Sequence, residues 1–377
     1  MKRKRSSPRR ISAYGKTFLI IFFIFFCPVF SPLIASADNL SDVKKIYSSF
    51  RLEEKLRIDT GNKELIDRGL FDINNFAVDS AGNIYIINGK SQSDKVFVLD
   101  KNGHLIRSFA RKGQGPGEID NAYEIFLTSE GNIFIQDSGA RKMAIFSPAG
   151  QLLSETRYEG ELGSLCPLPG QHFIGLESIV GAQVKEWLVC LNHYDSGLKK
   201  IGELDRLSYA NPFLQKSVEA TPHQIIYNLS ADRIYSGYPE RGYAFLCFDL
   251  NGKLIKKISR PLKKSNGFNE YKKIMINELE ALSRWGFRLT YPDQVLPYYS
   301  FFTDENGYLF VMTFERGQKE GEYLYDIISP EGDLVKTVSL GPFFADSRIL
   351  ARIMNSCLYW VREKESGEKE FIVSRIY

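Results

Sequence analysis

Short apolar runs alternate with polar residues and Gly-containing turns along most of the chain after residue 70. The order of runs and turns in residues 76–109 recurs in 125–158, and the turn glycines Gly82 and Gly131 lie 49 residues apart. β-Branched and aromatic residues in short alternating runs favour half-buried strands, and Gly or Asn supplies the positive φ of tight hairpins. The pattern therefore predicts a repeated unit of four antiparallel strands.

Less regular copies of the unit continue along the chain, at about 163–204, 223–260 and 298–340. Residues 349–377 contain three strand-like runs, and the run at 50–58 can supply a fourth. A single twisted sheet cannot bury both of its faces, whereas sheets stacked radially bury them and leave few free edges. We therefore predict an all-β fold, a six-bladed β-propeller of four-stranded antiparallel blades over residues 38–377, with a strand near 50–58 completing the last blade.

Residues 261–297 interrupt this alternation. Their apolar side chains are spaced as on one face of a helix, at Phe268, Tyr271, Ile274, Leu279, Leu282 and Trp285. Recurrence after three or four residues is typical of an amphipathic helix and does not fit a strand. We therefore expect a helical insertion near 268–286, and six blades rather than seven.

Residues 1–37 have the pattern of a secretory signal peptide, with a basic head, the apolar run Phe18–Phe30 and an A-x-A exit. The alternative is an uncleaved membrane anchor, because residues 17–36 are about long enough to span a bilayer. Pro28 and Pro32 interrupt that stretch and favour cleavage. We expect an exported protein, periplasmic or extracellular, that contacts a membrane only through an uncleaved signal.

The basic charge of the chain lies mainly in this N-terminal segment. The net charge is +4, but seven of the 49 basic residues and none of the 45 acidic residues lie in residues 1–37, so the remainder carries −3. That charge argues against nucleic acid as a partner. Of the cysteines after the segment, Cys190 and Cys247 lie in apolar runs, where we expect small buried side chains. Export would also permit disulfides among Cys166, Cys190, Cys247 and Cys357.

Three segments, 76–86, 96–103 and Arg111–Glu118, resemble NHL-repeat propellers, and more narrowly the exported bacterial proteins called 6-bladed β-propellers. The Gly-Gln-Gly-Pro-Gly-Glu linker within the third segment is the most specific element. The resemblance is close over 71–158 and loose from there to the C-terminus. It implies a fold and an exported location, but no agreed activity, because such propellers mostly serve as recognition surfaces and a few are lyases or lactonases.

The blade pattern divides the loops between two faces of a propeller. The connection face carries the links between blades and the loops between second and third strands, where ligands usually bind; the hairpin face carries the tight turns. Cationic and Gly-rich loops on the connection face could hold a carboxylate or sulfate. The predicted ligand-binding residues are Arg111, Lys112, Gln114, Glu118, Asp137, Arg141 and Lys142. The alternative is that the glycines only let the chain cross between blades and the charges are solvated.

No catalytic residue is assigned. Of the four histidines, only His223 precedes an innermost strand near the connection face. No H-E-x-x-H, G-x-S-x-G or P-loop motif occurs, and no metal ligands are assigned. Asp137 with Glu118 could bind Ca²⁺ at the channel. Acidic residues in the turns, namely Asp79, Asp100 and Asp304, are expected to cap their own hairpins.

These observations favour a monomeric binding or scaffold module that recognises a protein, peptide or glycan through one rim. We expect no cofactor and no enzymatic activity. The rival hypothesis is a metal-dependent hydrolytic propeller, similar to a lactonase or a lyase.

Overall fold

A computed structural model describes residues 37–377, apart from 129, 159–161, 182, 263–266, 285, 342–343 and 346–347. Except for Ala37, the predicted signal peptide lies outside the described residues, as does Trp285 of the predicted helical insertion. Among the residues that are described, no helix is long and apolar enough to cross a membrane.

The described part of the chain contains six four-stranded antiparallel sheets, the blades, which confirms the predicted six-bladed β-propeller. Blade 1 consists of β2 (Asn75–Val78), β3 (Ile84–Ile87), β4 (Asp94–Leu99) and β5 (Leu105–Arg111). Blade 2 consists of β6 (Ala122–Leu127), β7 (Ile133–Asp137), β8 (Lys142–Phe146) and β9 (Leu152–Arg157). Blade 3 consists of β10 (Leu162–Leu168), β11 (His172–Ile179), β12 (Glu186–Tyr194) and β13 (Lys200–Ala210).

Blade 4 consists of β15 (Ile226–Leu229), β16 (Arg233–Gly237), β17 (Ala244–Asp249) and β18 (Leu254–Ser259). Blade 5 consists of β20 (Ser300–Thr303), β21 (Leu309–Arg316), β22 (Tyr323–Ile328) and β23 (Leu334–Leu340). Blade 6 consists of β26 (Ala351–Met354), β27 (Cys357–Glu363), β28 (Lys369–Ile376) and the N-terminal strand β1 (Leu52–Asp59), in the order β26, β27, β28, β1. Contacts between the first strands of neighbouring blades place those strands innermost.

The ring is closed by pairing between the two ends of the described chain. β1 runs antiparallel to β28, with Leu52 opposite Ile376 and Asp59 opposite Glu370. On the channel side, side chains of innermost strands link one blade to the next. The Arg352 guanidinium donates to the Asn75 amide oxygen, and the Asn75 amide nitrogen donates to Glu124, both at 3.0 Å.

The predicted hairpin caps are present in the structure. One carboxylate oxygen of Asp79 accepts hydrogen bonds from the backbone N–H groups of Ala81 and Asn83, at 3.0 and 2.8 Å. The carboxylates of Asp100 and Asp304 accept from the corresponding backbone N–H groups of their own turns. These caps are made within each turn, between the acid and backbone groups two and four residues later.

The core consists of apolar layers between blades rather than one central cluster. The layer between blades 1 and 2, for example, contains Ile87, Val98, Ile125 and Ile135. The four cysteines after the N-terminal segment are free; Cys166, Cys190 and Cys247 are buried, as expected for Cys190 and Cys247, and Cys357 is partly exposed.

Helices and short strands outside the blades cover parts of both faces. The predicted helical insertion is α4 (Phe268–Arg284), preceded in the chain by α1 (Ala37–Ser49), α2 (Lys63–Asp67), α3 (Pro212–Gln215) and a 3₁₀ turn (Pro239–Arg241). β14 (Ser217–Glu219) pairs in parallel with β19 (Arg288–Thr290), and β24 (Phe344–Ala345) pairs with β25 (Arg348–Ile349). α4 packs on β21 of blade 5, and its Tyr271 and Leu282 are almost completely buried. The helix α1 was not predicted from the sequence.

Candidate functional site

The predicted binding residues lie together on the connection face, at the junction of blades 1 and 2. Lys112 donates to the side chain of Gln92, and the buried Lys142 ammonium donates to the backbone carbonyl of Gly115 at 2.8 Å. The backbone N–H of Asp120 donates to the Asp137 carboxylate at 2.7 Å. The loops of both blades therefore meet at one rim.

Most of the polar contacts at this rim are made with the protein itself. The fully buried Asp137 carboxylate accepts from four backbone N–H groups, those of Asp120, Asn121, Gly139 and Ala140. Each of those amides would otherwise be a loop donor without a partner in the fold. Asp137 therefore stabilises the blade connection.

Glu118 and Lys142 stabilise the Gly-rich linker in the same way. The Glu118 carboxylate accepts from the backbone N–H of Gly115 at 2.9 Å and lies where a Cβ at Gly113 would collide with it. Lys142 is paired with Glu155 at 2.6 Å. The remaining predicted residues, Arg111, Lys112, Gln114 and Arg141, are exposed. Within the described residues, no group of three or more His, Cys, Asp and Glu side chains could hold a metal ion.

His223 lies on the connection face in a buried polar cluster just before blade 4. Its imidazole stacks on Tyr209, with ring centroids 4.5 Å apart, and its Nδ1 lies 3.6 Å from the Glu240 carboxylate. Burial lowers the pKa of His223 to about 4 and raises the pKa of Glu240. At neutral pH the imidazole is therefore uncharged. The adjacent Arg241 is paired with Asp205.

A cleft of about 740 Å³ lies on the opposite, hairpin face, between blades 2 and 3, and it reaches the hairpin turns of blade 4 at Leu229, Ala231 and Leu250. Apolar side chains of both blades line it, including Phe134, Met143, Ile145, Leu168 and Phe173. Hydroxyl and amide groups lie among them, at Thr128, Asn132, Ser154, Thr156 and Gln171. An apolar lining with a few polar groups is typical of ligand sites. This cleft was not predicted from the sequence, because ligand binding was expected on the connection face.

The corresponding groove between blades 5 and 6 is occupied by the helix α1. The Tyr47 ring of α1 contacts Tyr308 and Phe310 edge-on, with centroids 5.0 and 5.3 Å apart. The Tyr47 hydroxyl donates to the buried Asp304 carboxylate at 2.8 Å. Lys336 of β23 donates to the carbonyl of Ser49 at the end of α1, at 2.9 Å.

Strand registers show that these two grooves use equivalent positions. In blade 2, Ile133 lies opposite Phe146; in blade 5, Leu309 lies opposite Ile328. Counting from these pairs, the equivalent positions are Thr128 and Asp304, Asn132 and Tyr308, Phe134 and Phe310, Ile145 and Ile327, and Ser154 and Lys336. Four of the positions that line the cleft in blade 2 are therefore equivalent to residues that α1 contacts in blade 5, on the opposite side of the six-bladed ring.

The six four-stranded blades define the class of protein as a six-bladed β-propeller. The family model described as 6-bladed beta-propeller matches residues 67–235. No curated protein matches the chain. The resemblance to NHL repeats stays a prediction.

Solved structures with similar folds share little sequence with the chain. A Bacteroides fragilis protein described as exported is 13% identical with a TM-score of 0.56, covering 93% of this chain and 100% of its own. A DUF4221 family member from Bacteroides vulgatus is 10% identical with a TM-score of 0.51, covering 87% and 98%. Virginiamycin B lyase from Staphylococcus aureus has a lower TM-score, 0.41, at 9% identity, covering 87% and 100%. At these identities the likeness concerns the fold alone.

Proposed function

We propose that the protein is an exported binding propeller that recognises a segment of a partner protein through the cleft between blades 2 and 3. One observation carries the proposal: the chain already binds a segment of its own, α1, at the equivalent positions of blade 5. In blade 2 the equivalent positions Thr128, Asn132 and Ser154 line an open cleft of about 740 Å³.

The lining of the cleft favours a peptide over a glycan. The apolar side chains of the lining that keep exposed surface include Ile145, Pro167 and Leu250, and covering them with apolar side chains of a peptide would stabilise a complex by about 25 cal/mol per Å² of area removed from water. The rim predicted from the sequence offers less, since Glu118, Asp137 and Lys142 already bond to the fold.

A blocking substitution with a matched control on the same strand tests this proposal. Ser154 is exposed and lines the cleft, and neighbouring side chains of a strand point to opposite faces, so the 55% exposed Leu153 points away. Wild-type protein, Ser154→Arg and Leu153→Arg are applied to immobilised panels of peptides and of glycans. We expect wild-type protein and Leu153→Arg to bind the same peptides, and Ser154→Arg to lose that binding at least tenfold.

Two results would overturn the proposal. One is binding of the panels that Ser154→Arg leaves unchanged. The other is binding that Arg111→Ala and Arg141→Ala abolish, because those side chains lie on the connection face. Thermal melting of each variant separates loss of binding from loss of folding.

A further inference from the structure

Two of the four histidines in the chain meet on blade 3, at the hairpin face. Nδ1 of His172 lies 3.1 Å from Nε2 of His193, and the centroids of the two rings are 5.1 Å apart. We propose that this pair binds a divalent transition-metal ion, of the kind of Zn²⁺, Ni²⁺ or Cu²⁺, with water in the other coordination positions. The proposal is independent of the proposed function of the cleft.

Strand pairing places both rings on one face of blade 3. His193 of β12 lies opposite Ile174 of β11. His172 precedes Ile174 by two residues, so its side chain points to the same face of the sheet. The two histidines are therefore diagonal neighbours on two paired strands, which hold them at a fixed separation.

The separation of the two nitrogens fits one shared ion. Two imidazole nitrogens that bind Zn²⁺ at about 2.0–2.1 Å and at a tetrahedral angle lie about 3.3 Å apart, and the right angle of an octahedral ion brings them to about 2.9 Å. The observed 3.1 Å lies between these two values. His172 would bind the ion as the tautomer that is protonated at Nε2, and its partial exposure to water allows this exchange of the proton.

A second hydrogen bond orients the ring of His193. The side chain is 5% exposed; burial and the neighbouring His172 lower its pKa, and a hydrogen bond to the backbone of Asn251, in a turn of blade 4, opposes this shift. A Cβ at Gly252 would lie 3.3 Å from Nδ1, so Nδ1 faces this turn. Donation from Nδ1 to a backbone carbonyl leaves the lone pair of the neutral ring on Nε2, beside His172. Metal-binding histidines are usually oriented in this way.

The two nitrogen ligands determine the kind of ion. Imidazole suits Zn²⁺, Ni²⁺ and Cu²⁺, whereas Ca²⁺ and Mg²⁺ prefer oxygen ligands. Over the part of the chain that the structure describes, no third His, Cys, Asp or Glu side chain completes a metal-binding group. We therefore expect weaker binding than at a site with three or four protein ligands, and the tightest binding for Cu²⁺.

Calorimetric titration of untagged, chelator-treated protein with Ni²⁺ and with Cu²⁺ tests the proposal. We expect the wild type to bind one ion per chain. His172→Gln should bind at least tenfold more weakly, because glutamine can still donate a hydrogen bond to His193 but offers no imidazole to the ion. His104→Ala is the matched control, since His104 is an exposed histidine of another hairpin turn, and it should leave the affinity unchanged.

Electron paramagnetic resonance of the Cu²⁺ complex identifies the nitrogen ligands. We expect the signal of two imidazole nitrogens in the wild type and of fewer in His172→Gln. Equal affinity of wild type and His172→Gln would overturn the proposal, as would no binding at millimolar Ni²⁺ or Cu²⁺, or a loss of binding in His104→Ala. A wild-type spectrum without two imidazole nitrogens would overturn it even if His172→Gln proved unstable in thermal melting. Ser154→Arg, which blocks the cleft, should leave the metal affinity unchanged.

Discussion

The hydrogen bond between Tyr47 and Asp304 predicts that removing the Tyr47 hydroxyl lowers the free energy of unfolding by an amount that depends on pH. Asp304 is fully buried, and this burial raises its pKa to about 6. A carboxyl group whose pKa is raised on folding lowers stability as the pH rises from its unfolded pKa of 3.8 through its folded pKa of about 6. With 1.36 kcal/mol for each unit, the whole penalty is about 3 kcal/mol. The hydroxyl of Tyr47 opposes this penalty, because it donates to the ionised form.

Tyr47→Phe removes that donor and keeps the ring. At pH 7 Asp304 is mostly ionised, and a hydrogen bond to a charged group contributes about 1.5–3 kcal/mol, so we expect a loss of about 2 kcal/mol. At pH 5 Asp304 is mostly protonated in the folded protein, and the loss should fall to about 1 kcal/mol, the usual contribution of a neutral pair. Glu305, whose pKa burial raises to about 8, stays mostly protonated at both values.

Denaturant-induced unfolding of four proteins measures this difference: wild type, Tyr47→Phe, Asp304→Asn and the double variant, each at pH 5 and pH 7. In the Asp304→Asn background, Tyr47→Phe should cost about 1 kcal/mol at both pH values, because no charge is left to solvate. An equal cost of Tyr47→Phe in the wild-type background at both pH values would refute the reasoning.

Two further predictions concern stability. Lys142→Met should lower the free energy of unfolding by about 2–3 kcal/mol, which is less than for a fully buried ion pair because Glu155 keeps some exposure. Arg111→Ala, at an exposed position, should change it by less than about 0.5 kcal/mol. If chemical denaturation gave similar losses for the two variants, Lys142 would not be structural. Gly307 and Gly367 both have φ of +82°, but a Cβ at Gly307 would lie 2.6 Å from a buried tyrosine hydroxyl, whereas Gly367 faces open space. Gly367→Ala should therefore cost about 1–2 kcal/mol, and Gly307→Ala about 1–3 kcal/mol more, and equal shifts in Tm would contradict this account.

The sequence could predict the blades because their signals are local. Each hairpin carries its own turn residues and its own cap, such as Asp79, and each strand its own alternation. The helix α4 was predictable for the same reason. α1 had a signal that was overlooked, since Val43, Ile46, Tyr47 and Phe50 have helical spacing.

The candidate site was less predictable, because its partners are distant in sequence or belong to the backbone. Asp137 and Lys142 lie on the connection face, as predicted, but the sequence does not reveal that Asp137 accepts from four backbone amides or that Lys142 donates to a backbone carbonyl. The cleft depends on how far blade 2 stands from blade 3. Alternation within a strand carries no information on that separation.

The pairing of β1 with β28 has a consequence for how the chain reaches its native state. Asp59 pairs with Glu370, 311 positions later, so β1 is synthesised long before its partner strand and stays unpaired until the end of the chain is available. A waiting strand is a hazard, because its open edge can recruit strands of other molecules. β1 carries charged residues at Glu53, Glu54, Lys55 and Arg57, and most of its side chains stay exposed even in the finished blade. Such a strand is a poor template for aggregation and suits a chain whose ring is closed last.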